Sequence, residues 1–374
     1  PDLLIGLFHS GVDYTYGNQN ANTPRNENAS ELVAKQVPGF DVVFMGHDHH
    51  GWNYSVKNNW GKKVLILGDI NAARTLSVVN ISISLKDKNK KVITGETIDI
   101  RKFKPDVGFN NRFSKSFKEV KKYTDKKLGT FTKTITTRDS FFGDSPFVDL
   151  VQKIQLEITG ADVSFASPLS FNAEIKKGNV YVRDMFNLYK YENLLYTIKM
   201  SGKEIKNYME YSYGKWLNQM KNENDHLLKF KFDKKGKIIY SHNHPALSNS
   251  SYNFSSAAGI IYTVDVRKPI GEKVSIKSFS DGRPFKLTGE YKVAVNSYRG
   301  NGGGGHLVYG AKIPKDKLAG RLISSTDKDL RYYIMKWIEK EKIITPEKIG
   351  NWKIIPKEWV KKGREKDYKL LFGK

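Results

Sequence analysis

The stretch DVVFMGHDHHG, residues 41–51, decides how this chain is read. An apolar run, Asp41–Met45, stops abruptly at Gly46 and gives way to His47, Asp48, His49 and His50. A short apolar run bounded by a polar cluster reads as a buried strand. Ligand-bearing residues that follow a buried strand point to an α/β sheet, where binding sites gather beyond the strand ends. Three of the chain's eight histidines fall within these residues. His47 and His49 lie two apart, so on an extended segment they face the same way and Asp48 faces away.

Working outward, the same pattern appears upstream. The apolar run Asp2–Phe8 ends at His9-Ser10-Gly11 and predicts a second buried strand with a histidine at its end. Neutral imidazoles converging at strand ends suit a divalent cation. His9, His47 and His49 are therefore the candidate metal ligands, with His50 a flanking surface residue. Between the two histidine sites, residues 29–37 predict a short amphipathic helix. Downstream, KKVLILGD, TLSVVNISISL and KKVITGETIDI predict three more strands, with DKNK as the hairpin turn before the last.

From residue 104 to 129 the chain turns polar, but Phe113, Phe117, Val120 and Tyr123 recur at helical spacing. A linker helix ending at Gly129 is expected. A second domain follows. Ser145, Pro146 and Gly160 have the types and spacing of an N-cap, a first-turn proline and a C-terminal stop. Strands are expected at DVSFAS, NLLYTIKM, AGIIYTVDV, KVSIKSF and EYKVAVNSY, and helices near Arg183–Leu188, after Ser201 and over about 326–341. The predicted organisation is residues 1–103, a linker 104–129, a second α/β domain 130–355, and an accessory tail 356–374.

Composition narrows the chemistry. The chain has 374 residues and no cysteine, which excludes disulfides, thiolate metal sites and cysteine nucleophiles. Its formal charge is +24, yet the lysines are dispersed along turns and helix faces. That dispersal reads as a solvated basic surface rather than a dedicated nucleic-acid groove. It still favours small anions, nucleotides among them.

A second constellation is NSYRGNGGGGHL, residues 296–307. Asn296 and Tyr298 close a strand, and four glycines follow. Tyr298 offers a face on which a base can stack. Glycines at 302 and 303 permit close backbone approach. A third is Tyr252-Asn253-Phe254, another aromatic loop before a strand. Brought together, Tyr252 and Tyr298 would sandwich a purine. His242 and His244, in YSHNHPA, read as surface residues with an adventitious metal site as the alternative, and His306 has no assigned role.

These motifs carry a resemblance. FHSG followed by GHDHH resembles the last two metal motifs of the calcineurin-like metallophosphoesterases. From its start to about Pro356 the chain resembles the 5′-nucleotidase/2′,3′-cyclic phosphodiesterase family. NSYRGNGGGG is similar to the 2′,3′-cyclic-nucleotide 2′-phosphodiesterase/3′-nucleotidase branch, with Gly304 where the 5′-nucleotidase branch carries aspartate. ADVSFAS lacks the phosphate-contacting arginines of that other branch. LYKYENLLYTIKMSGKEIKNYME is similar to a family segment too, and its Tyr191, Asn193 and Gly202 read as structural.

The resemblance implies a partial metallophosphoesterase β-sandwich layer with flanking helices, a linker helix and a C-terminal α/β (α+β) nucleotidase domain. It implies two divalent metals, Zn, Mn, Co or Fe, with His9 and His47 on one and His49 on the other. It places substrate on Tyr252, Asn253, Asn296, Tyr298, Gly302 and Gly303, and it implies a periplasmic, secreted or cell-surface setting. The family's Asp-Xaa-His and Gly-Asn-His-Asp motifs do not occur ahead of His9. The chain is accordingly expected to be a fragment that needs a complementary N-terminal half-domain, hydrolytically dead or weak alone, with no catalytic residue assigned in it. The expected substrate is a small nucleotide or nucleoside, with no membrane span. A 5′-nucleotidase-type phosphoesterase and a non-catalytic nucleotide-binding module are the alternatives.

Overall fold

The computed structural model describes residues 1–16, 19–24, 26–87, 90–241 and 244–373. The chain divides into two compact units, Pro1–Lys115 and Ser116–Lys374.

In the first unit the elements run β1 (Ile5–Phe8), α1 (Ser30–Gln36), β2 (Val42–Met45), β3 (Trp52–Lys57), β4 (Lys63–Gly68), β5 (Thr75–Ile83) and β6 (Lys91–Asp99). A four-stranded sheet has the order β1-β2-β4-β3. β2 is parallel to both β1 and β4, whereas β3 runs antiparallel to β4. Side-chain alternation along β4 explains its continuous apolar run. Val64 and Ile66 join the cluster around Ala34 of α1, and Leu65 and Leu67 join the cluster of Val79, Ile81 and Ile93 from β5 and β6. β5 and β6 pair only with each other, so they form a second, two-stranded layer. Lys88 and Asn89 of the expected turn lie outside the described residues.

Two expectations are corrected here. β3 was not anticipated, although its Trp52, Tyr54 and Val56 alternate inward. β1 is an edge strand rather than a buried one, with Ile5 and Leu7 exposed.

Helix α2 (Val107–Thr124) crosses the boundary between the units, and none of its residues is buried. It stops before Gly129, which lies inside β7 (Lys127–Phe131). A side chain at Gly129 would lie 2.9 Å from Ile338 Cγ2, so this glycine admits a neighbouring helix instead of stopping its own.

In the second unit β7 is followed by β8 (Ile135–Thr136), α3 (Pro146–Thr159), β9 (Val163–Ala166), β10 (Glu174–Ile175), β11 (Gly178–Tyr181) and α4 (Met185–Leu188). Next come β12 (Leu194–Ser201), α5 (Gly202–Trp216), β13 (Tyr240–Ser241), β14 (His244–Pro245), β15 (Ser256–Ala258), β16 (Ile260–Asp265), β17 (Val274–Phe279) and β18 (Glu290–Asn296). The chain closes with α6 (Ser297–Gly300), β19 (Leu322–Asp329), α7 (Leu330–Glu341), β20 (Ile343–Ile344), β21 (Trp352–Ile355) and α8 (Lys357–Phe372). A five-stranded mixed sheet, β15-β9-β18-β12-β19, organises the unit, with three-stranded sheets β11-β7-β20 and β17-β16-β21 beside it.

Local chemistry sets the helices. Ser145 caps α3 by accepting from Phe147 N, Pro146 opens it, and Gly160 closes it. Ser201 and Glu204 form a reciprocal capping box on α5. The last long helix before the tail starts at Leu330, not near 326, because Leu322–Asp329 pairs with β12 as an edge strand and Asp329 then caps α7.

Residues 356–374, expected as an accessory tail, are part of the core. Leu371 of α8 is a buried member of the main cluster, which also holds Phe141, Trp216 and Leu228, and Tyr368 and Phe372 pack against that cluster. The carboxylate of Asp367, fully buried, accepts from Leu228 N at 2.9 Å and pairs with His226.

Candidate functional site

Register places the histidines of the first unit. Phe8 of β1 pairs in parallel with Met45 of β2, so both strands end at the same level. His9 and the Gly46–His47 turn emerge there together, and their rings meet edge to face with centroids 5.4 Å apart. Asp69 leaves the same sheet end, because Met45 pairs with Gly68. One of its oxygens accepts from Ser77 N at 3.1 Å, and the other is buried with no hydrogen-bond partner among the described residues.

The segment after Met45 is not extended. His47 and His49 both have positive φ, 77° and 58°. That replaces the expectation that they face one way with Asp48 facing the other. Asp48 instead anchors the turn, its Oδ2 accepting from Val12 N at 3.1 Å and from Trp52 Nε1 at 3.0 Å. Glu27 lies 3.5 Å from His47 Nε2. The fit to a metal ion is partial. Two imidazoles meet, but among the described residues no group of three or more His, Asp, Glu or Cys side chains is arranged to hold an ion.

The second unit brings together a different set. β18 ends at Asn296, whose Oδ1 accepts from Arg299 N at 2.9 Å and turns the chain into α6. That turn presents Tyr298. A 3₁₀ turn, Ser251–Asn253, presents Tyr252, and the connection between α4 and β12 presents Tyr191. The three tyrosines, with Leu169, Asn193, Asn296 and Arg299, line a cavity of about 220 Å³. Tyr191, Tyr252 and Tyr298 are 42%, 39% and 45% exposed, and they cluster on one cavity, which marks an interaction site more than scattered exposed rings do. Together they offer stacking faces with few polar groups between, the surface that a planar heteroaromatic ring fills best.

Arg299 holds this arrangement, and the sequence reading did not single it out. Its side chain is 3% exposed. Nη2 donates to the Tyr252 carbonyl at 2.6 Å, and Nη1 donates to Asn253 Oδ1 at 3.2 Å and to the Gly303 carbonyl at 3.0 Å. Its guanidinium carbon also lies 5.4 Å from the centre of the Tyr298 ring. One planar cation thus ties the Tyr252 turn, the Tyr298 turn and the glycine run to one another. The available signal was its position beside Tyr298, immediately before the glycines.

The glycines work from behind. A Cβ on Gly303 would lie 2.5 Å from Tyr298 Cε2, so the ring rests on bare backbone. Gly304 has φ 68°, and a Cβ there would lie 2.0 Å from Arg299 Nη1. Gly302 and Gly303, expected to touch substrate, are not among the lining residues: Gly303 backs Tyr298 and gives its carbonyl to Arg299, and Gly302 faces Leu318 and Val308. Asn253 likewise spends its side-chain oxygen on Arg299. Asn296 lines the cavity and donates through Nδ2 to the Tyr189 hydroxyl at 3.2 Å. Burial pushes that hydroxyl up to about 12, so it stays protonated. Tyr191 and Asn193, read from sequence as structural, are cavity walls.

His306 lies under the glycine run, 1% exposed, with Nδ1 3.2 Å from the Gly304 carbonyl and the ring against Tyr208 and Tyr211. Burial and the nearby Arg299 charge hold it well below the usual histidine range, so it is neutral. His244 is exposed. His242 lies outside the described residues. No helix among the described residues is long and apolar enough to cross a membrane.

Comparison with known proteins follows the same division. Residues 126–310 match the 5′-nucleotidase C-terminal domain family. The chain is 23% identical to the trifunctional nucleotide phosphoesterase protein YfkN of Bacillus subtilis, across 95% of this chain and 25% of that protein. It is 22% identical to the 2′,3′-cyclic-nucleotide 2′-phosphodiesterase/3′-nucleotidase of Haemophilus influenzae, across 95% of this chain and 58% of that protein. It therefore spans between a quarter and three fifths of the length of these relatives. In structure it resembles a Staphylococcus aureus protein assigned as a 5′-nucleotidase and solved with α-ketoglutarate, with TM-score 0.68 at 18% identity, covering 94% of this chain and 64% of that one. Every residue that lines the tyrosine cavity falls within 126–310, the stretch that matches the 5′-nucleotidase C-terminal domain family.

Proposed function

We propose that this chain supplies the nucleoside-binding part of a metal-dependent phosphoesterase acting on 2′,3′-cyclic nucleotides and 3′-nucleotides. The observation that carries the reading is the cavity in which Tyr252 and Tyr298, from loops nearly fifty residues apart, are held by one buried arginine. A base lies between these rings, and Tyr191 and Asn193 bound the cavity alongside them. The activity named for the Haemophilus influenzae relative, and the NSYRGNGGGG segment, support the cyclic-phosphodiesterase/3′-nucleotidase branch.

Two divalent ions, Zn, Mn, Co or Fe, are part of this proposal. They would supply an activated water and charge neutralisation at phosphorus. His9, His47 and His49 are the ligands that this chain would contribute, and the reading requires further ligands from a complementary segment. A periplasmic or secreted location belongs to the same reading.

Titration with adenosine tests the site. Tyr252→Ala and Tyr298→Ala each remove one stacking face, worth about 1–3 kcal/mol per base, so affinity falls about fivefold to a hundredfold. Unchanged affinity in both variants overturns the sandwich. In a protein that hydrolyses nucleotides, a preference for 5′-AMP over 2′,3′-cyclic AMP and 3′-AMP replaces this reading with a 5′-nucleotidase.

A further inference from the structure

A second concavity adjoins the tyrosine cavity and shares three of its walls, Leu169, Tyr191 and Tyr252. Tyr191 and Tyr252 border both spaces and so form the ridge between them. The second space is the larger and more open, about 610 Å³. Its walls include Lys190, Lys231, His244 and Asn249, and no aspartate or glutamate. Among the described residues neither Lys190 nor Lys231 has a carboxylate within ion-pair distance. Lys190 Nζ instead sits 5.8 Å from the centre of the Tyr191 ring. An open groove with uncompensated ammonium groups and exposed aromatic ring faces has the two features that bind a single-stranded nucleic-acid backbone and its bases.

The geometry points to an extended substrate: a nucleotide joined by a phosphodiester to a second nucleotide, with the second unit in the Lys190–Lys231 groove. One base fills the cavity between Tyr252 and Tyr298. The chain of the ligand passes over the Tyr191–Tyr252 ridge. The linking phosphate then meets Lys190 and Lys231, and the second base finds the outer face of a ridge tyrosine. This rests on the nucleoside-binding reading of the tyrosine cavity. It extends that reading to short single-stranded oligonucleotide ends, a class that the dispersed lysines of the sequence did not suggest.

The experiment compares three probes by calorimetric titration at low salt: adenosine, 5′-AMP and the dinucleoside monophosphate adenylyl-adenosine. The wild-type chain is expected to bind adenylyl-adenosine about tenfold more tightly than adenosine and more tightly than 5′-AMP. That gain shrinks as salt rises, as contacts between phosphate and ammonium groups require. In Lys190→Glu/Lys231→Glu the gain disappears while the adenosine affinity stays within about twofold. Equal affinities for adenosine and adenylyl-adenosine in the wild type overturn the inference, as does a gain that survives in the double variant. A gain fully reproduced by 5′-AMP shows a phosphate seat alone and also overturns it. Adenosine binding that does not respond to Tyr252→Ala or Tyr298→Ala is a different result, which removes the nucleoside site itself.

Discussion

Arg299 donates through Nη2 to the main-chain carbonyl of Tyr252 at 2.6 Å, and so fixes the Tyr252 turn from the residue next to Tyr298. The two rings are exposed, but the cation that positions them is buried. The proposed binding surface is thereby ordered in advance, which would lower the entropic cost of binding a nucleoside.

Replacing Arg299 by alanine strands the Tyr252 and Gly303 carbonyls and Asn253 Oδ1 in a part-buried place. Hydrogen bonds to charged groups contribute about 1.5–3 kcal/mol each, and their loss is not additive. Arg299→Ala is expected to lower stability by about 2–4 kcal/mol and adenosine affinity by at least tenfold. Arg299→Lys recovers only part of either, because an ammonium cannot reproduce the planar fork. Urea unfolding and adenosine titration check this together. A lysine variant indistinguishable from wild type in both contradicts the staple.

Gly303→Ala separates positioning from folding. The new methyl group would lie 2.5 Å from Tyr298 Cε2, and that ring, being half exposed, can swing away. Adenosine affinity is expected to fall about tenfold while the urea midpoint moves by less than about 1 kcal/mol in stability. Gly304→Ala, by contrast, strikes Arg299 and strains a backbone at φ 68°, and should lower both. Equal effects of the two changes would contradict the distinction drawn between them.

What the sequence revealed follows the range of the forces involved. Ser145, Pro146, Gly160 and the Ser201–Glu204 box act within one helical turn, so their roles were visible in a few residues. The alternating and continuous apolar runs marked most strands for the same reason. Gly129 looked like a helix stop because the helical spacing of Phe113, Phe117, Val120 and Tyr123 precedes it, yet Ile338, some two hundred residues away, decides its role. The histidine turn was legible as a strand-end cluster, but not its left-handed backbone. Tyr252 and Tyr298 were legible as exposed aromatic loops. Arg299 and Tyr191 were not, since the first acts through carbonyls of a distant loop and the second lines a cavity formed only after folding.

The buried carboxyl of Asp149, with Asp144 beside it, gives a pH signature. Asp149 Oδ2 accepts from Ile349 N at 2.9 Å, and Asp144 Oδ2 accepts from Gly350 N at 2.8 Å. Burial, and then the adjacent Asp144, push the Asp149 carboxyl from its ordinary 3.8 up to about 8. Between those values the folded chain holds a proton that the unfolded chain has released. This contribution therefore stabilises the fold most at low pH and is lost as pH rises toward 8, with a slope of at most about 1.4 kcal/mol per pH unit. Asp149→Asn should flatten the difference in urea stability between pH 5 and pH 8. An identical pH dependence in the two proteins contradicts the assignment.

The C-terminal helix provides the last test. If residues 356–374 were an accessory tail, substitutions in them would change stability by less than about 0.5 kcal/mol. The structure instead buries Leu371 to 5% exposure and the Asp367 carboxylate completely. Leu371→Ala leaves a cavity in the main core cluster and is expected to cost about 2–5 kcal/mol. Asp367→Ala leaves Leu228 N and His226 without their acceptor and should cost about 2–4 kcal/mol. Both changes lie outside the tyrosine cavity, so adenosine affinity should hold under conditions where the variants remain folded. Chemical denaturation reads the stability, and near-wild-type midpoints for both variants would return α8 to the status of an appendage.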